Sequence, residues 1–270
     1  MTDGTGAFKM GKRVTVTASD DVTEQVAAIV SRVFGGQKGG SRGPAAAERL
    51  SADRIVEVAV DQMREHGYDA VTMRSIARAL GTGPASLYAH VANRAQLDQL
   101  VVGWVCAQWQ VPDPDPEHWD SLLRASLVDL LELYRANPGV ARCTMGMIPL
   151  QPGLLVVTER LMALLKSGGV PDQHCAWFVD VAALFVAGVA IEEDIWRETR
   201  REQGGAAGEL SEEDAVAEVR QVFESLPPEH FPLLSAMAAT MTQGSGDDRF
   251  AFGVDLLVGG LKAMSGADRR

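Results

Sequence analysis

From Ser51 onward the chain reads as a succession of one-sided apolar stripes. Val56, Ala59, Val60 and Met63 fall on one face of a helix. Ser51 suits its N-cap, although Arg54 rather than Glu stands at the third helical position, and Gly67 suits its stop. Thr72 starts a second, shorter helix with Ile76, Ala77 and Leu80 turned inward, and Gly81 ends it. Pro84 is suited to open a third helix, and Asn93 a fourth that runs towards Trp109. The prolines of Val111 to Asp120 (VPDPDPEHWD) cannot continue a helix, so a corner is expected there. Five further helical segments are predicted at roughly 119–136, 153–167, 172–200, 211–225 and 247–264, with room for another between Pro227 and Thr242. No stretch alternates apolar and polar residues long enough to form a sheet, so the expected fold class is all-α.

Upstream, residues 1–18 are polar and aperiodic. Val22, Val26, Ile29, Val30 and Val33 then mark one isolated amphipathic helix, followed by the basic, glycine-rich GGQKGGSRG of residues 35–43. This extension reads either as a mobile tail or as a docking helix with an arm that touches DNA. The expected division is a flexible extension over 1–50, a helix-turn-helix head over 51–105 and a helical body over 106–270.

Two of the later helices carry a further message. Cys175 to Ile191 is apolar nearly all round, but Asp180 interrupts the run, Glu192, Glu193 and Asp194 close it, and it is short for a membrane span. A doubly buried helix is the better reading, and its small residues Ala183 and Ala187 suit a close helix–helix approach. In the last helix Phe250, Val254, Leu257, Leu261 and Met264 repeat at 4, 3, 4, 3, a heptad seam. Ala183, Ala187, Phe250, Val254, Leu257 and Leu261 are therefore the candidate interface of a homodimer built on a four-helix contact.

Charge sharpens the division. The net charge of the 270 residues is −11. Residues 1–50 carry seven Lys/Arg against five Asp/Glu, residues 51–105 five against six, and residues 106–270 thirteen against twenty-five. The body would be repelled by a polyanion, while the N-terminal part could approach one. Cys106, Cys143 and Cys175 are odd in number and far apart, which fits no disulfide framework. With no apolar signal-peptide core at the N-terminus, a reducing, cytoplasmic location is expected and no membrane partner.

Catalytic patterns fail one by one. Gly81, Gly83 and Ser86 miss the dinucleotide fingerprint. Gly35 and Gly40 have a P-loop's spacing, but Ser41 and Arg42 replace its Lys and Ser/Thr. The five histidines do not cluster at ligand spacing, so no metal and no cofactor is expected. An enzyme on a helical scaffold would need a nucleophile–base pair or a metal cluster. A ligandless DNA- or partner-binding protein would need a core without a cavity.

Thr72 to Arg94 (TMRSIARALGTGPASLYAHVANR) holds three arginines and no acidic residue. Two short helices around Gly81-Thr82-Gly83 match a helix-turn-helix, which lays its second helix in the major groove. Thr72 and the free amides behind it suit a phosphate. Arg74 lies in the first turn, where an arginine can read guanine bidentately. Thr82, Gly83, Pro84 and Ala85 are small enough to let the backbone approach base edges. Ser86, Tyr88 and His90 can donate to phosphates, and Asn93 and Arg94 begin a helix whose positive end faces the far strand. The expected partner is double-stranded DNA.

On Thr72-Met73-Arg74, Ile76-Ala77, Leu80-Gly81, Leu87-Tyr88, His90-Val91 and Asn93-Arg94, with its LYxHVxN pattern, the head resembles that of TetR-family transcriptional regulators. The long apolar helix and FAFGVDLLVGGL resemble the dimerising core of the branch nearest the tetracycline repressor. The resemblance covers residues 51–265 and implies that Arg74 reads a base, that Pro84, Ala85, Ser86 and Tyr88 sit on the recognition helix, and that His90 and Arg94 contact phosphate. Thr82 departs from the apolar turn residue common in the family, and Arg94 from its frequent Lys. The implied function is a homodimeric repressor released from a palindromic operator by a small-molecule effector. Candidate effector contacts are Trp104, Gln108, Trp109, Tyr134, Met147, Trp177, Asp180 and Phe185.

Overall fold

The computed structural model describes residues 25, 26, 28, 29, 50–204 and 211–267. Gln25, Val26, Ala28 and Ile29 are helical; the rest of the N-terminal extension, including GGQKGGSRG, lies outside the described residues. Every regular element among the described residues is a helix.

The head comprises α1 (Ala52–His66), α2 (Met73–Ala79), α3 (Pro84–Leu87) and the start of α4 (Arg94–Cys106). Local chemistry sets each boundary. The Ser51 side chain accepts from the Arg54 amide, and Gly67 stops α1 at φ 80°. Thr72 and Ser75 form a reciprocal capping box at the start of α2. Gly81 makes the turn at φ 64°, where a Cβ would be strained. Asn93 caps α4 by accepting from the Gln96 amide. Ile55, Val56, Ala59, Val60, Met63, Ile76, Ala77, Leu87 and Val91 are buried and form the head's part of the core.

The body comprises α5 (Trp119–Arg135), α6 (Val140–Cys143), α7 (Pro152–Ser167), α8 (Asp172–Gly204), α9 (Glu212–Glu224), α10 (Pro232–Ala236), α11 (Ala238–Met241) and α12 (Gly246–Ala267). α5, α7 and α8 pack on one another, and α12 lies against α5 and α8. α9, α10 and α11 pack among themselves. The five long segments predicted from periodicity are present within a few residues. The single-turn α6 follows Gly139, which adopts φ 84°, and a four-residue helix has no periodicity to reveal it.

α8 is long and apolar enough to cross a membrane by length and composition. Its inward residues Phe178, Ala182, Val186, Ala187 and Ala190 are buried against the body.

Charged struts join the long helices. Arg135 of α5 makes a two-pronged contact with Glu193 of α8, at 2.8 and 2.6 Å, and also reaches Asp247 of α12 at 2.6 Å. The Glu193 carboxylate holds the Arg135 proton more tightly than usual. Arg124–Asp255 and Lys262–Asp120 tie α5 to α12. Arg135→Ala strands Glu193 between helices, and we expect it to cost about 2 kcal/mol of stability, between an exposed and a buried pair. Chemical denaturation measures this directly.

The heptad seam is a correction. Phe250, Val254 and Leu261 are buried within the protomer and Leu257 is half-buried, so this stripe closes the body instead of facing a second chain. The Phe250 ring stacks on Phe185 at 5.5 Å, and a Cβ at Gly253 would lie 2.3 Å from the Phe185 ring. Ala187 is likewise buried inside the protomer, whereas Ala183 is exposed. α12 carries two apolar stripes and packs on α5 and α8, and a heptad spacing marks a stripe that is covered without distinguishing a covering helix of the same chain from one of a second chain.

The other stripe is uncovered. On α12, Phe252 is 65% and Leu256 61% exposed, and Gly259 and Gly260 have open space where a Cβ would stand. On α8, Trp177 is 63% and Leu184 53% exposed, with Val181 exposed between them and open space at Gly188.

Candidate nucleic-acid interface and effector body

Within the head, α2 and α3 meet across Ile76, Ala77 and Leu87, and Ala77 is small where they cross. Ser75 pins α2 to α1: its hydroxyl donates to Gln62 Oε1 at 2.8 Å, and Gln62 Nε2 donates to the Ser75 carbonyl. That link was not legible in the sequence, since neither residue breaks a stripe.

Thr72, Arg74, Gly83, Pro84, Ala85, Ser86, Tyr88, His90 and Asn93 are all exposed. Thr82 is half-buried and its amide donates to the Ala77 carbonyl, which fixes the turn. The hydroxyl oxygen of Thr72 and the side-chain oxygen of Asn93 each cap a helix, so both residues hold their helix starts in place. Arg74 has no ion pair or hydrogen bond among the described residues. Its exposed guanidinium is thus unengaged within the described protomer.

Arg94 is different from the expected phosphate contact. Its Nε donates to Asp98 at 2.7 Å, one terminal nitrogen donates to the Val71 carbonyl and the other to the Tyr68 carbonyl. The guanidinium lies 4.2 Å from the Tyr68 ring centroid. Each of its three guanidinium nitrogens thus donates within the head, where Arg94 ties the loop ahead of α2 to the start of α4.

The candidate effector residues do not converge. Gln108 and Trp109 line an open cleft of about 290 Å³ with Gln110, Asp129, Glu132 and Leu133. The Trp109 indole donates to the Ser126 carbonyl at 3.0 Å, which fixes its ring in the cleft wall. Tyr134 is buried and paired with Cys106, and burial pushes the Cys106 thiol up to about 12. Tyr134 is thereby core. Phe185 is held by Phe250, and Met147 is half-buried against the core. Trp177 and Asp180 are exposed on α8, and Trp104 on α4. The sequence offered these residues as aromatic or polar points in apolar runs, which does not say which side of a helix they occupy. Asp129 and Glu132 were not singled out, because a surface helix carries many such carboxylates. Among the described residues no cluster of His, Cys, Asp or Glu could hold a metal ion.

A helix-turn-helix head set on a larger helical body defines the class: a DNA-binding regulator of the helical type. Residues 55–98 match the model of bacterial regulatory proteins of the tetR family, and residues 111–265 match the tetracyclin repressor-like C-terminal domain. The chain belongs to the TetR family of transcriptional regulators. It is 27% identical over 229 residues to the HTH-type transcriptional repressor DrrR1 of Streptomyces coeruleorubidus, covering 83% of this chain and 81% of that one. It is 26% identical to the class D tetracycline repressor protein of Escherichia coli, covering 80% and 91%. Among solved structures, the TetR family protein ActR of Streptomyces coelicolor in complex with actinorhodin aligns with a TM-score of 0.70 at 33% identity, over 81% of this chain and 99% of that one. The family assignment drawn from the LYxHVxN pattern and the all-α class both hold.

Proposed function

We propose that this chain is a cytoplasmic, homodimeric repressor that leaves a palindromic operator when a small organic molecule binds its body. Residues 51–105 act as the DNA-reading head and 106–270 as the effector and dimer domain. The observation that carries the reading is the uncovered apolar stripe of Trp177, Val181, Leu184, Phe252 and Leu256, on the same chain as a head whose Arg74 has no partner among the described residues. Paired through α8 and α12, two copies would bury that stripe in a four-helix contact and present two α3 helices to successive major grooves. Repressor names among the relatives and the ligand-bound ActR structure support the same reading.

The effector site best supported is the cleft at Gln108 and Trp109. Trp109 and Leu133 give it an apolar wall, and Gln108, Gln110, Asp129 and Glu132 give it hydrogen-bonding edges. Gln108, Trp109 and Gln110 follow directly on the C-terminal end of α4, the helix whose other end belongs to the head.

Selection of duplexes from a random pool by the purified protein tests DNA reading. A thermal-shift screen of metabolites, repeated with the selected duplex, tests release. A palindromic consensus and a compound that frees the duplex support the proposal; no selected sequence overturns it. Gln108→Trp fills the cleft, and overpacking of this kind is expected to raise the releasing concentration of a screened compound by roughly tenfold or more. Unchanged release in a fluorescence-anisotropy titration would move the effector elsewhere in the body.

A further inference from the structure

The loop that leads into the helix-turn-helix, residues 67–71, is clamped by the body corner at residues 137–143. Tyr68 donates its hydroxyl to Asp98 Oδ2 at 3.0 Å. Arg94 donates to Asp98 Oδ1 at 2.7 Å and to the Val71 carbonyl, one residue before the Thr72 cap. The Cys143 thiol of α6 donates to the same Asp98 Oδ1 at 3.6 Å. Asp98 therefore joins three parts: the head's entry loop, the connecting helix α4 and the body's α6. Its side chain is only 14% exposed, so these bonds are partly shielded from water. Burial, and then Asp98, raise the Cys143 thiol well above its usual range, so it stays a neutral donor.

Further contacts extend the clamp. Arg142 pairs with Asp69 at 2.8 Å. Arg64, in the last turn of α1, donates to Asn137 at 2.6 Å, and Asn137 is itself buried. Gly139 packs so closely on Tyr68 that a Cβ would lie 3.3 Å from it. The Gly139 amide donates to Asp194 of α8 at 2.7 Å. A continuous path thus runs from α8 through Gly139, Tyr68, Asp98 and Arg94 to Val71, immediately ahead of α2.

We infer that Asp98 is a positioning residue: with Tyr68 it locks the entry loop of the helix-turn-helix to the body corner, and so sets the angle at which each head leaves the dimer. This second strut acts beside α4 and ties the head to α8, the helix that carries the uncovered stripe. The inference rests on the dimeric, palindrome-reading function proposed above. A residue that only stabilises the fold lowers melting temperature without changing which DNA geometry is preferred. A residue that sets head angle changes the preferred distance between half-sites.

The test compares the full-length protein with Tyr68→Phe, which removes one hydroxyl, and Asp98→Ala, which removes all three ties. Asp98→Asn keeps an acceptor and should lie between. Each is titrated with the selected palindrome and with versions whose half-sites are one base pair closer or further apart. Wild type should discriminate sharply among spacings. Tyr68→Phe and Asp98→Ala should flatten that ratio by roughly two- to thirty-fold, the range for mutations along a coupling network. If Asp98→Ala fails to fold, Tyr68→Phe, which keeps the ring under Arg94, still reads the ratio. An unchanged ratio, with or without a lower melting temperature, overturns the inference and leaves the proposed function standing. A wild type that selects no palindrome overturns that function, and the inference with it.

Discussion

Glutamate at both Phe252 and Leu256 is expected to convert the protein to monomers while leaving each protomer folded. The two side chains are among the most exposed large apolar groups of the chain, and nothing in the protomer rests on them. Within a four-helix contact each would be buried in both copies, so the double variant removes four apolar anchors and would bury four carboxylates. A central anchor costs about 2 kcal/mol or more when truncated, so dimerisation should weaken by at least roughly a thousandfold. Operator affinity should collapse with it, because each head then binds alone and loses the effective concentration supplied by its twin. Sedimentation velocity reads the first effect and fluorescence anisotropy the second. Leu261→Glu is the contrast. Leu261 is buried in the protomer, so a carboxylate there should unfold the chain before any question of assembly arises. A double variant that still sediments as a dimer would remove this face from the account.

That contrast shows where the sequence is silent. The 4, 3, 4 spacing of Phe250, Val254, Leu257 and Leu261 says that these four are covered, and they are wholly or partly so; it does not say by what. α12 also carries Phe252, Leu256 and Gly260 at helical spacing, and only the position of α5 and α8 decides which set faces inward. The head was far more legible because its signals are local. Ser51, Gly67, Thr72, Gly81, Pro84 and Asn93 act within one turn of where they stand, through caps, a missing Cβ or a fixed φ. Arg94 escaped for the opposite reason. A lone cation in a segment that faces DNA suggests phosphate, whereas its actual partners, Asp98, Tyr68 and Val71, lie up to 26 residues away. The cleft at Gln108 and Trp109 was half legible. Gln108 and Trp109 mark the irregular end of α4, but Asp129, Glu132 and Leu133 reach the cleft only through the packing of α5.

Arg74→Ala is expected to cost about 1–3 kcal/mol in operator binding, concentrated at one base pair of each half-site. Arg74 is the second residue of α2, exposed and without a partner among the described residues, beside a helix start held by the Thr72–Ser75 box. A guanidinium so placed has two possible uses, and they differ in what they leave behind. If it forks onto guanine O6 and N7, its loss relaxes preference at that position, and Arg74→Lys, which cannot fork, restores little. If it neutralises a phosphate, its loss weakens every sequence alike, lowers the salt slope of binding by about one unit, and Lys restores most of the affinity. The smallness of Gly83, Pro84 and Ala85 favours the first use, because in a major groove it would let the backbone of the turn come close enough for an arginine one helix away to reach a base edge. Binding-site selection with Arg74→Ala and Arg74→Lys, each at two salt concentrations, separates the two uses. Uniform weakening with full rescue by lysine would remove Arg74 as a reader and leave the specificity of the head to close backbone approach and to the deformability of the DNA.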